Sequence, residues 1–267
     1  MILALLQARM SSSRLPGKVL RPVLGEPMLG RQIERLARSK RFDRLLVATS
    51  TDPSDDVLAD YCRTKSIGFV RGSLEDVLDR FYQAALPFAP DHVVRLTGDC
   101  PLTDPALIDS IIEFHLAGGY DYSSNTIEPT YPDGLDAEVV SFPALAEAWR
   151  ESILPSNREH VTLFIKSRPQ TFKLGSYRSA TDLSHHRWTV DQAEDLAMVQ
   201  RVYAALYPSN PSFATRDILE FLGNSPSLDG GKSVHDRPGH ARNEGLEKSI
   251  LKDERFMRGL EHNAGTL

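Results

Sequence analysis

Short apolar runs and amphipathic segments alternate along residues 2–116, and this alternation constrains the fold more than any other feature of the chain. Residues 2–6 form a continuous apolar run that ends in a polar, Ser-rich stretch, as a buried strand followed by a loop would. Residues 28–36 then carry apolar side chains at helical spacing, and Pro27 suits a first helical turn. Repetition of this pair predicts a parallel sheet covered by helices, with right-handed crossovers.

The same reasoning predicts the other elements. Further strands are expected at residues 45–48, 67–70, 92–96, 137–142, 171–174 and 187–190. Further helices are expected at residues 57–61, 74–86, 104–116, 159–166, 192–206 and 215–222, with Asp104 as an N-cap before Pro105. The second half is irregular, no clean linker divides residues 1–222, and the composition changes beyond Gly223. We therefore expect one α/β domain over residues 1–222 and a C-terminal extension over residues 223–267.

Composition limits the classes of function. The chain has 31 Lys and Arg against 36 Asp and Glu, a formal net charge of −5, and it has no basic block. It is therefore a poor candidate for nucleic-acid binding, which needs clustered cations. The apolar run at the N-terminus is too short to span a membrane, and Cys62 and Cys100 alone make no disulfide scaffold. We expect a cytoplasmic protein that binds neither nucleic acid nor membrane.

Three loops follow predicted strands and are the expected ligand sites, because parallel sheets bind ligands at the carboxyl ends of their strands. They are residues 7–18, 49–55 and 97–104. The first carries Arg9, Arg14 and Lys18 among several serines, so its hydroxyls, amides and cations could surround phosphate oxygens. It matches neither the Walker pattern nor the dinucleotide glycine pattern. The alternative interpretation is an exposed polar loop.

Two carboxylates could hold a divalent ion. Asp99 directly follows the strand at residues 92–96, and carboxylates there suit Mg²⁺. Asp191 lies in the later segment Arg-Trp-Thr-Val-Asp-Gln-Ala-Glu-Asp-Leu, residues 187–196. Each has a structural alternative: Asp99 could be a turn or cap residue, and Asp191 could be an N-cap that forms a capping box with Glu194.

Together these segments resemble the nucleotide-sugar cytidylyltransferase family, which includes the enzymes that activate ketodeoxyoctonate and sialic-type sugar acids. Residues 7–18 (Gln-Ala-Arg-Met-Ser-Ser-Ser-Arg-Leu-Pro-Gly-Lys) resemble its signature loop, residues 95–102 its central metal loop, and residues 188–196 its late Val-Asp-x-x-Glu-Asp-Leu motif. The likeness is greatest to the spore-coat polysaccharide type-F branch. It extends to residues 131–138, 158–162 and 243–245, and so covers nearly the whole chain.

The resemblance implies a doubly wound, mostly parallel α/β sheet with helices on both faces, of the nucleotide-diphospho-sugar transferase type. It also implies Mg²⁺-dependent transfer of CMP from CTP to a sugar or sugar acid, with release of pyrophosphate, in surface-polysaccharide synthesis. In that reaction Arg9, Arg14 and Lys18 would hold the β- and γ-phosphates, and Asp99 and Asp191 would anchor Mg²⁺. A homodimer is implied as well.

Base and ribose contacts are expected at Ser73, at Thr97 (where some relatives carry Gln) and at the backbone around Leu6 and Ala8. Cys100 is expected to be a packing residue without a catalytic role, because a neighbouring carboxylate would raise the pKa of its thiol. The candidates for acceptor binding are Asp133, Glu138, Arg158, Glu159 and His160.

Among those candidates, Arg158 could offer a bidentate partner to an acidic sugar. Glu159 and His160 could equally belong to an ordinary amphipathic helix. The ionisable segment at residues 235–240 could close over the site, or it could be a solvated arm or a subunit contact.

Two rival functions fit a nucleotide-binding fold of this kind. A glycosyltransferase would consume a nucleotide sugar, but such enzymes usually bind metal through Asp-x-Asp, which this sequence lacks. The cation-rich first loop also favours an intact triphosphate. A non-catalytic binding protein would have no need of both acids and all three cations.

Overall fold

The computed structural model describes residues 1–224 and 249–258. Its strands are β1 (Ile2–Gln7), β2 (Pro22–Val23), β3 (Glu26–Pro27), β4 (Arg44–Ser50), β5 (Phe69–Gly72), β6 (His92–Thr97), β7 (Tyr122–Ser124), β8 (Glu138–Ser141) and β9 (Leu174–Ser176). Its helices are α1 (Met28–Leu36), α2 (Asp56–Thr64), α3 (Val77–Ala85), α4 (Pro105–Gly118), α5 (Phe142–Glu151), α6 (Pro155–Glu159), α7 (Leu163–Lys166), α8 (Ala193–Leu206) and α9 (Thr215–Gly223), and residues 249–258 are also helical.

Seven strands form the main sheet in the order β5-β4-β1-β6-β8-β7-β9, and β2 and β3 form a separate antiparallel hairpin. The four strands from β5 to β6 are parallel, β8 is antiparallel to both β6 and β7, and β9 is parallel to β7. Because β1, β4, β5 and β6 all end at one edge, the loops that follow them meet there.

Helices cover both faces of this sheet. A hydrophobic core lies on each face of the sheet, and successive residues of β1 belong to alternate cores. Leu3 and Leu5 pack with α3, α5 and α7 on one face. Ala4 and Leu6 pack with α1, α2 and α4 on the other. A third core joins α8 and α9 to the β2–β3 hairpin around the buried Trp188. The expected doubly wound α/β fold with helices on both faces is therefore confirmed.

Most predicted elements of the first half are confirmed, including the Asp104 cap, whose carboxylate accepts a hydrogen bond from the Ala106 amide. The strand predicted at residues 67–70 lies two residues later, at β5. In the second half the helix predicted at residues 159–166 is wrong, because the chain breaks between α6 and α7, where Val161 has a positive φ of 53°. Helix α5 was not predicted.

Two strands predicted in the second half are also wrong. The strand expected at residues 171–174 instead begins at Leu174, as β9. Residues 187–190 form no strand, although Arg187 makes an isolated parallel bridge with Asp133. Periodicity fails at residues 187–190 because Trp188 and Val190 are buried against α8 and α9 and do not pair with a strand. Among the described residues, no helix is long and apolar enough to cross a membrane.

Candidate active site

Lys18 lies at the centre of the site. It follows the first loop, and its Nζ donates hydrogen bonds to Asp99 Oδ2 at 3.1 Å, Asp191 Oδ1 at 3.1 Å and the Val190 carbonyl at 2.7 Å. These partners are 81 to 173 residues away in sequence. The structure therefore brings the first loop, the loop after β6 and the segment before α8 to one point.

Backbone contacts fix the two acids beside each other. The Val190 amide donates to the Asp99 carbonyl at 2.8 Å, and the Thr189 hydroxyl donates to the same oxygen at 3.4 Å. Gly134 allows the loop before β8 to pass under this contact: its φ is 109°, and a Cβ there would lie 2.5 Å from the Thr189 nitrogen. A side chain at this position would push the two segments apart.

Each charge in this cluster stabilises the ionised form of its neighbours. Burial alone would lower the pKa of Lys18, but Asp99 and Asp191 hold that pKa above its usual value. Burial alone would raise the pKa values of Asp99 and Asp191, yet the Lys18 ammonium keeps both below their ordinary range. Both acids are therefore ionised at neutral pH beside a protonated amine.

Asp191 does not cap α8, so the alternative interpretation of this residue as an N-cap is wrong. The observed capping box is one residue later: Gln192 is the N-cap, and the Asp195 carboxylate accepts from the backbone amides of Asp191 and Gln192 at 2.9 Å. The Asp191 carboxylate is thereby left for ion pairs with Lys18, Arg14 at 2.8 Å and Arg187 at 2.6 Å.

Arg187 is a site residue that the sequence reasoning missed. Its guanidinium joins Asp191 to the acceptor candidate Asp133, with Nη1 2.8 Å from Asp133 Oδ2. The signal that could have found it is its position four residues before Asp191, within the same motif. Arg187 thus places Asp133 next to the two central acids.

The other two cations of the first loop, Arg14 and Arg9, are more exposed to solvent than Lys18. Arg14 has 41% of its side chain exposed, and Arg9 is exposed and makes no ion pair with any other residue in the described part of the chain. An unpaired arginine beside a loop of backbone amides is free to bind an anionic ligand. Together with Lys18, these cations could neutralise a polyphosphate.

The donor set suits Mg²⁺. Within residues 1–224 and 249–258, no group of three or more His, Cys, Asp and Glu side chains could hold a metal ion. Mg²⁺ needs no such cage when a nucleotide is present, since one or two carboxylates plus phosphate oxygens and waters complete its coordination. Asp99 Oδ2 and Asp191 Oδ1 each lie 3.1 Å from Lys18 Nζ, so the two carboxylates are near enough to act on one ligand.

The residues expected around the nucleotide lie at or near the ends of β1, β5 and β6, along one edge of the sheet. Leu6 and Ala8 have buried side chains, so they can offer backbone groups only. The Ser73 hydroxyl accepts from the Asp76 amide at 2.9 Å, and the Thr97 hydroxyl lies 3.4 Å from Cys100 Sγ. Cys100 is buried, and burial followed by the Asp99 charge raises the pKa of its thiol well above the usual value, as expected of a packing residue.

A cavity of about 160 Å³ lies between the first loop and the segment after β5. Its lining includes Gln7, Arg9, Leu74, Val77, Arg95 and His160. A neighbouring cavity of about 290 Å³ is lined by Glu75, Asp76, Pro155, Arg158, Glu159 and Lys252. The two share Glu75 and Glu159, so α6 and the helix at residues 249–258 border the same concave region as Arg9.

The acceptor candidates do not form one cluster. Arg158 directs its guanidinium to Asp76 Oδ2, at 2.8 Å from Nε and 2.6 Å from Nη2, and donates to the Trp149 carbonyl. The bidentate partner expected for a sugar carboxylate is therefore already bound within the protein. Glu159 and His160 line the smaller cavity, whereas Glu138 is buried behind it and pairs with Arg95, another lining residue.

The helix at residues 249–258 contacts α6 directly. Asp253 accepts from the amide and hydroxyl of Ser156 at 2.8 and 2.5 Å, and Lys252 pairs with Glu159 at 2.9 Å. Ser249 Oγ lies 3.0 Å from His160 Nε2. Part of the extension thus borders the candidate acceptor region, whereas the segment at residues 235–240 lies outside the described residues.

Glu138 acts as a structural anchor in the fold. It is 5% exposed, ion-pairs with Arg95 and with Lys166, and accepts hydrogen bonds from the Tyr122 and Thr162 hydroxyls. Burial alone would raise its pKa, but Arg95 and Lys166 lower that pKa far below its usual range. Removing one partner of such a pair leaves the other charge buried and uncompensated.

Glu138→Gln should therefore lower the free energy of unfolding at pH 7 by about 3 kcal/mol, measured by urea denaturation. Because the folded-state pKa is lowered, the stabilisation is present above the unfolded pKa and is lost as pH falls. The difference between wild type and variant should shrink below about pH 4. The matched control is Glu128→Gln, since the Glu128–Arg178 pair is exposed and should contribute less than about 1 kcal/mol. Equal losses in both variants would contradict the anchoring role.

Comparison with known proteins agrees with this geometry. The family model described as "Cytidylyltransferase" matches residues 3–221. The chain is 34% identical over 232 residues to the spore coat polysaccharide biosynthesis protein SpsF of Bacillus subtilis, covering 84% of this chain and 95% of that protein. It is also 33% identical over 138 residues to a 3-deoxy-manno-octulosonate cytidylyltransferase of Synechococcus elongatus, covering 51% of this chain and 55% of that protein. A solved cytidylyltransferase structure from Leptospira borgpetersenii superimposes with a TM-score of 0.82 at 30% identity, covering 87% of this chain and 98% of that one.

Proposed function

Because the chain belongs to the cytidylyltransferase family and is a nucleotidyltransferase, we propose that it transfers CMP from CTP to a hydroxyl of a sugar or sugar acid. Pyrophosphate is the second product. The observation that carries the proposal is the convergence of Lys18, Asp99 and Asp191 at the edge of the sheet, beside the open cations Arg9 and Arg14. Family membership also excludes the rival interpretation as a glycosyltransferase and disfavours a non-catalytic role.

In this reaction the protein mainly positions the two substrates and neutralises the negative charge of the phosphates. Arg9 and Arg14 bind the β- and γ-phosphates, and Lys18, whose ammonium already donates to Asp99, Asp191 and the Val190 carbonyl, adds positive charge that stabilises the departing pyrophosphate. Asp99 and Asp191 would hold Mg²⁺, which supplies a Lewis acid for the α-phosphate when it is bound. The reaction needs no protein nucleophile, so the acceptor hydroxyl attacks the α-phosphate directly.

We assign acceptor binding to two places: Asp133, which Arg187 joins to Asp191, and the cavity that Glu159 and His160 line. We assign Glu138 and Arg158 supporting roles, because Glu138 pairs with Arg95 and Arg158 with Asp76. The relatives named for spore-coat polysaccharide and for 3-deoxy-manno-octulosonate support a sugar-type acceptor in polysaccharide synthesis. The proposal also includes a catalytic domain at residues 1–222, an extension at residues 223–267 and a cytoplasmic location. It further includes a homodimer, which size-exclusion chromatography with light scattering would test.

The substrate assignment is tested by pyrophosphate release with CTP, UTP, ATP and GTP in the presence of Mg²⁺. Each nucleotide is combined with a panel of sugar acids and of neutral sugars. We expect CTP to give the highest rate, and at least one sugar or sugar acid to raise pyrophosphate release above the rate with water alone. A higher rate with UTP or ATP would refute the base assignment, and failure of all four nucleotides to bind would refute the proposed reaction.

A further inference from the structure

Arg14 is assigned to the triphosphate, yet its guanidinium contacts one of the two central acids. Arg14 Nη2 lies 2.8 Å from Asp191 Oδ1, and this is the only ion pair that Arg14 makes within residues 1–224 and 249–258. A phosphate drawn to Arg14 in this position approaches the negative charge of Asp191, so the two anions compete for one guanidinium. The other contacts of Asp191 indicate which of its partners can be exchanged.

Both oxygens of Asp191 are bound to cations. Oδ1 lies 3.1 Å from Lys18 Nζ as well as 2.8 Å from Arg14 Nη2, and Oδ2 lies 2.6 Å from Arg187 Nη2. A carboxylate offers about four lone-pair directions, and three of them here point at positive charges. A divalent ion at this carboxylate is repelled by those charges, so its binding favours the departure of one of the three cations.

Two of these cations are held firmly. The side chain of Lys18 is 11% exposed, and its three N–H donors all bind protein oxygens. Arg187 is 20% exposed and also ion-pairs with Asp133. Moving either side chain breaks several contacts and leaves a second acid without its cation.

Arg14 is the cation that leaves at the lowest cost in free energy. Its side chain is 41% exposed, and an exposed ion pair contributes little to stability. Burial raises the pKa of Asp191, and Lys18 and then Arg187 oppose this more than Arg14 does. Arg14 is therefore the partner that Asp191 can exchange for a divalent ion.

The backbone beside Arg14 is anchored, so this exchange requires only a movement of the side chain. Leu15 is 9% exposed and packs in the third core. The Gly17 amide donates to the Met10 carbonyl at 2.9 Å. The guanidinium can thus pass from Asp191 to phosphate oxygens while the loop that carries it keeps its conformation.

We propose that Arg14 and a divalent ion compete for Asp191 Oδ1, and that Arg14 releases this oxygen when its guanidinium binds the triphosphate. Arg14 then couples two binding events. The nucleotide favours the metal by removing its competitor, and the metal favours the nucleotide by the same factor. The inference rests on the proposed function, because it requires a triphosphate and a divalent ion at this site.

The test measures Mn²⁺ and CTP binding separately, in wild type and in Arg14→Met. Mn²⁺ replaces Mg²⁺ at oxygen ligands and is followed by electron paramagnetic resonance without nucleotide, and CTP is titrated calorimetrically in EDTA. We expect Arg14→Met to bind Mn²⁺ about tenfold more tightly, because the competing charge is gone, and CTP about tenfold more weakly, because a phosphate contact is gone. A general disturbance of the loop would not change the two affinities in opposite directions.

Two further variants complete the design. Arg9→Met is the matched control, because Arg9 is an exposed cation of the same loop without an ion pair in the described part of the chain. It should weaken CTP binding and change the Mn²⁺ affinity by less than about threefold. The double variant Arg14→Met, Asp191→Asn should bind Mn²⁺ no more tightly than Asp191→Asn alone, which assigns the gain to this carboxylate.

An Mn²⁺ affinity in Arg14→Met equal to that of wild type, or a gain that Arg9→Met matches, overturns the inference and leaves the proposed function intact. The same conclusion follows if the gain persists beside Asp191→Asn, or if Arg14→Met binds CTP as tightly as wild type does. A wild-type protein that binds no CTP, with or without a divalent ion, overturns both the inference and the proposed function.

Discussion

Asp99→Asn and Asp191→Asn should each lower kcat for CTP-dependent pyrophosphate release by about a thousandfold, because each removes one of two convergent carboxylates from the proposed Mg²⁺ site. Asn keeps the size of the side chain and can still accept a hydrogen bond from Lys18, so the local packing is preserved. The expected change is therefore in turnover, with little change in the fold. Steady-state kinetics over a range of Mg²⁺ concentrations, together with circular dichroism, would measure both.

The matched control is Asp60→Asn. Asp60 lies on α2, its side chain is 69% exposed, and its only ion pair within the described residues is with Arg63 on the same helix. This variant should turn over at the wild-type rate. Near-normal turnover in both Asp99→Asn and Asp191→Asn would remove these residues from the metal site, and partial recovery at high Mg²⁺ would support weakened metal binding.

Lys18→Met should lower kcat by about a hundredfold, because it removes the buried cation that links the first loop to both acids and that we assign to the leaving pyrophosphate. Met has a similar length and fills the same space without charge. The variant also changes the titration of its neighbours: in wild type the ammonium overcomes the effect of burial and keeps the pKa values of Asp99 and Asp191 below their usual range.

The pH dependence gives this prediction a second readout. The two acids act in their ionised form, so activity is retained above their folded pKa values and lost as the pH falls through them. Without the ammonium, burial raises both pKa values, most at Asp99, where the Asp191 charge adds to it while Arg187 and Arg14 still stabilise ionised Asp191. The acidic limb of the kcat profile should therefore move to higher pH. Lys65→Met, which breaks only the exposed Lys65–Glu26 pair, should leave the profile in place. An unmoved limb in Lys18→Met would contradict the electrostatic coupling.

The regular first half shows why periodicity was sufficient for the fold there. Strands β1, β4 and β6 lie between two layers of helices, so most of their central side chains are apolar and the runs are visible in the sequence. Helices α1 and α4 begin at a proline or at an Asp–Pro cap, which are local signals. In the second half periodicity was not sufficient, since β7 and β9 are three residues long and α6 and α7 are short. The Ser141 cap and the proline in the first turn of α5 were local signals that the prediction missed.

The sequence by itself determined the doubly wound sheet, the loops that end its strands, and the residue types available for phosphate and metal binding. The tertiary structure decided how those residues are paired: Lys18 with two acids from distant segments, Asp191 freed from the helix cap by Asp195, and Arg158 bound to Asp76. Burial patterns and caps arise from neighbours within a few residues, so a sequence shows them. Ion pairs between loops depend on how the whole sheet and its helices pack, and only the folded chain specifies that.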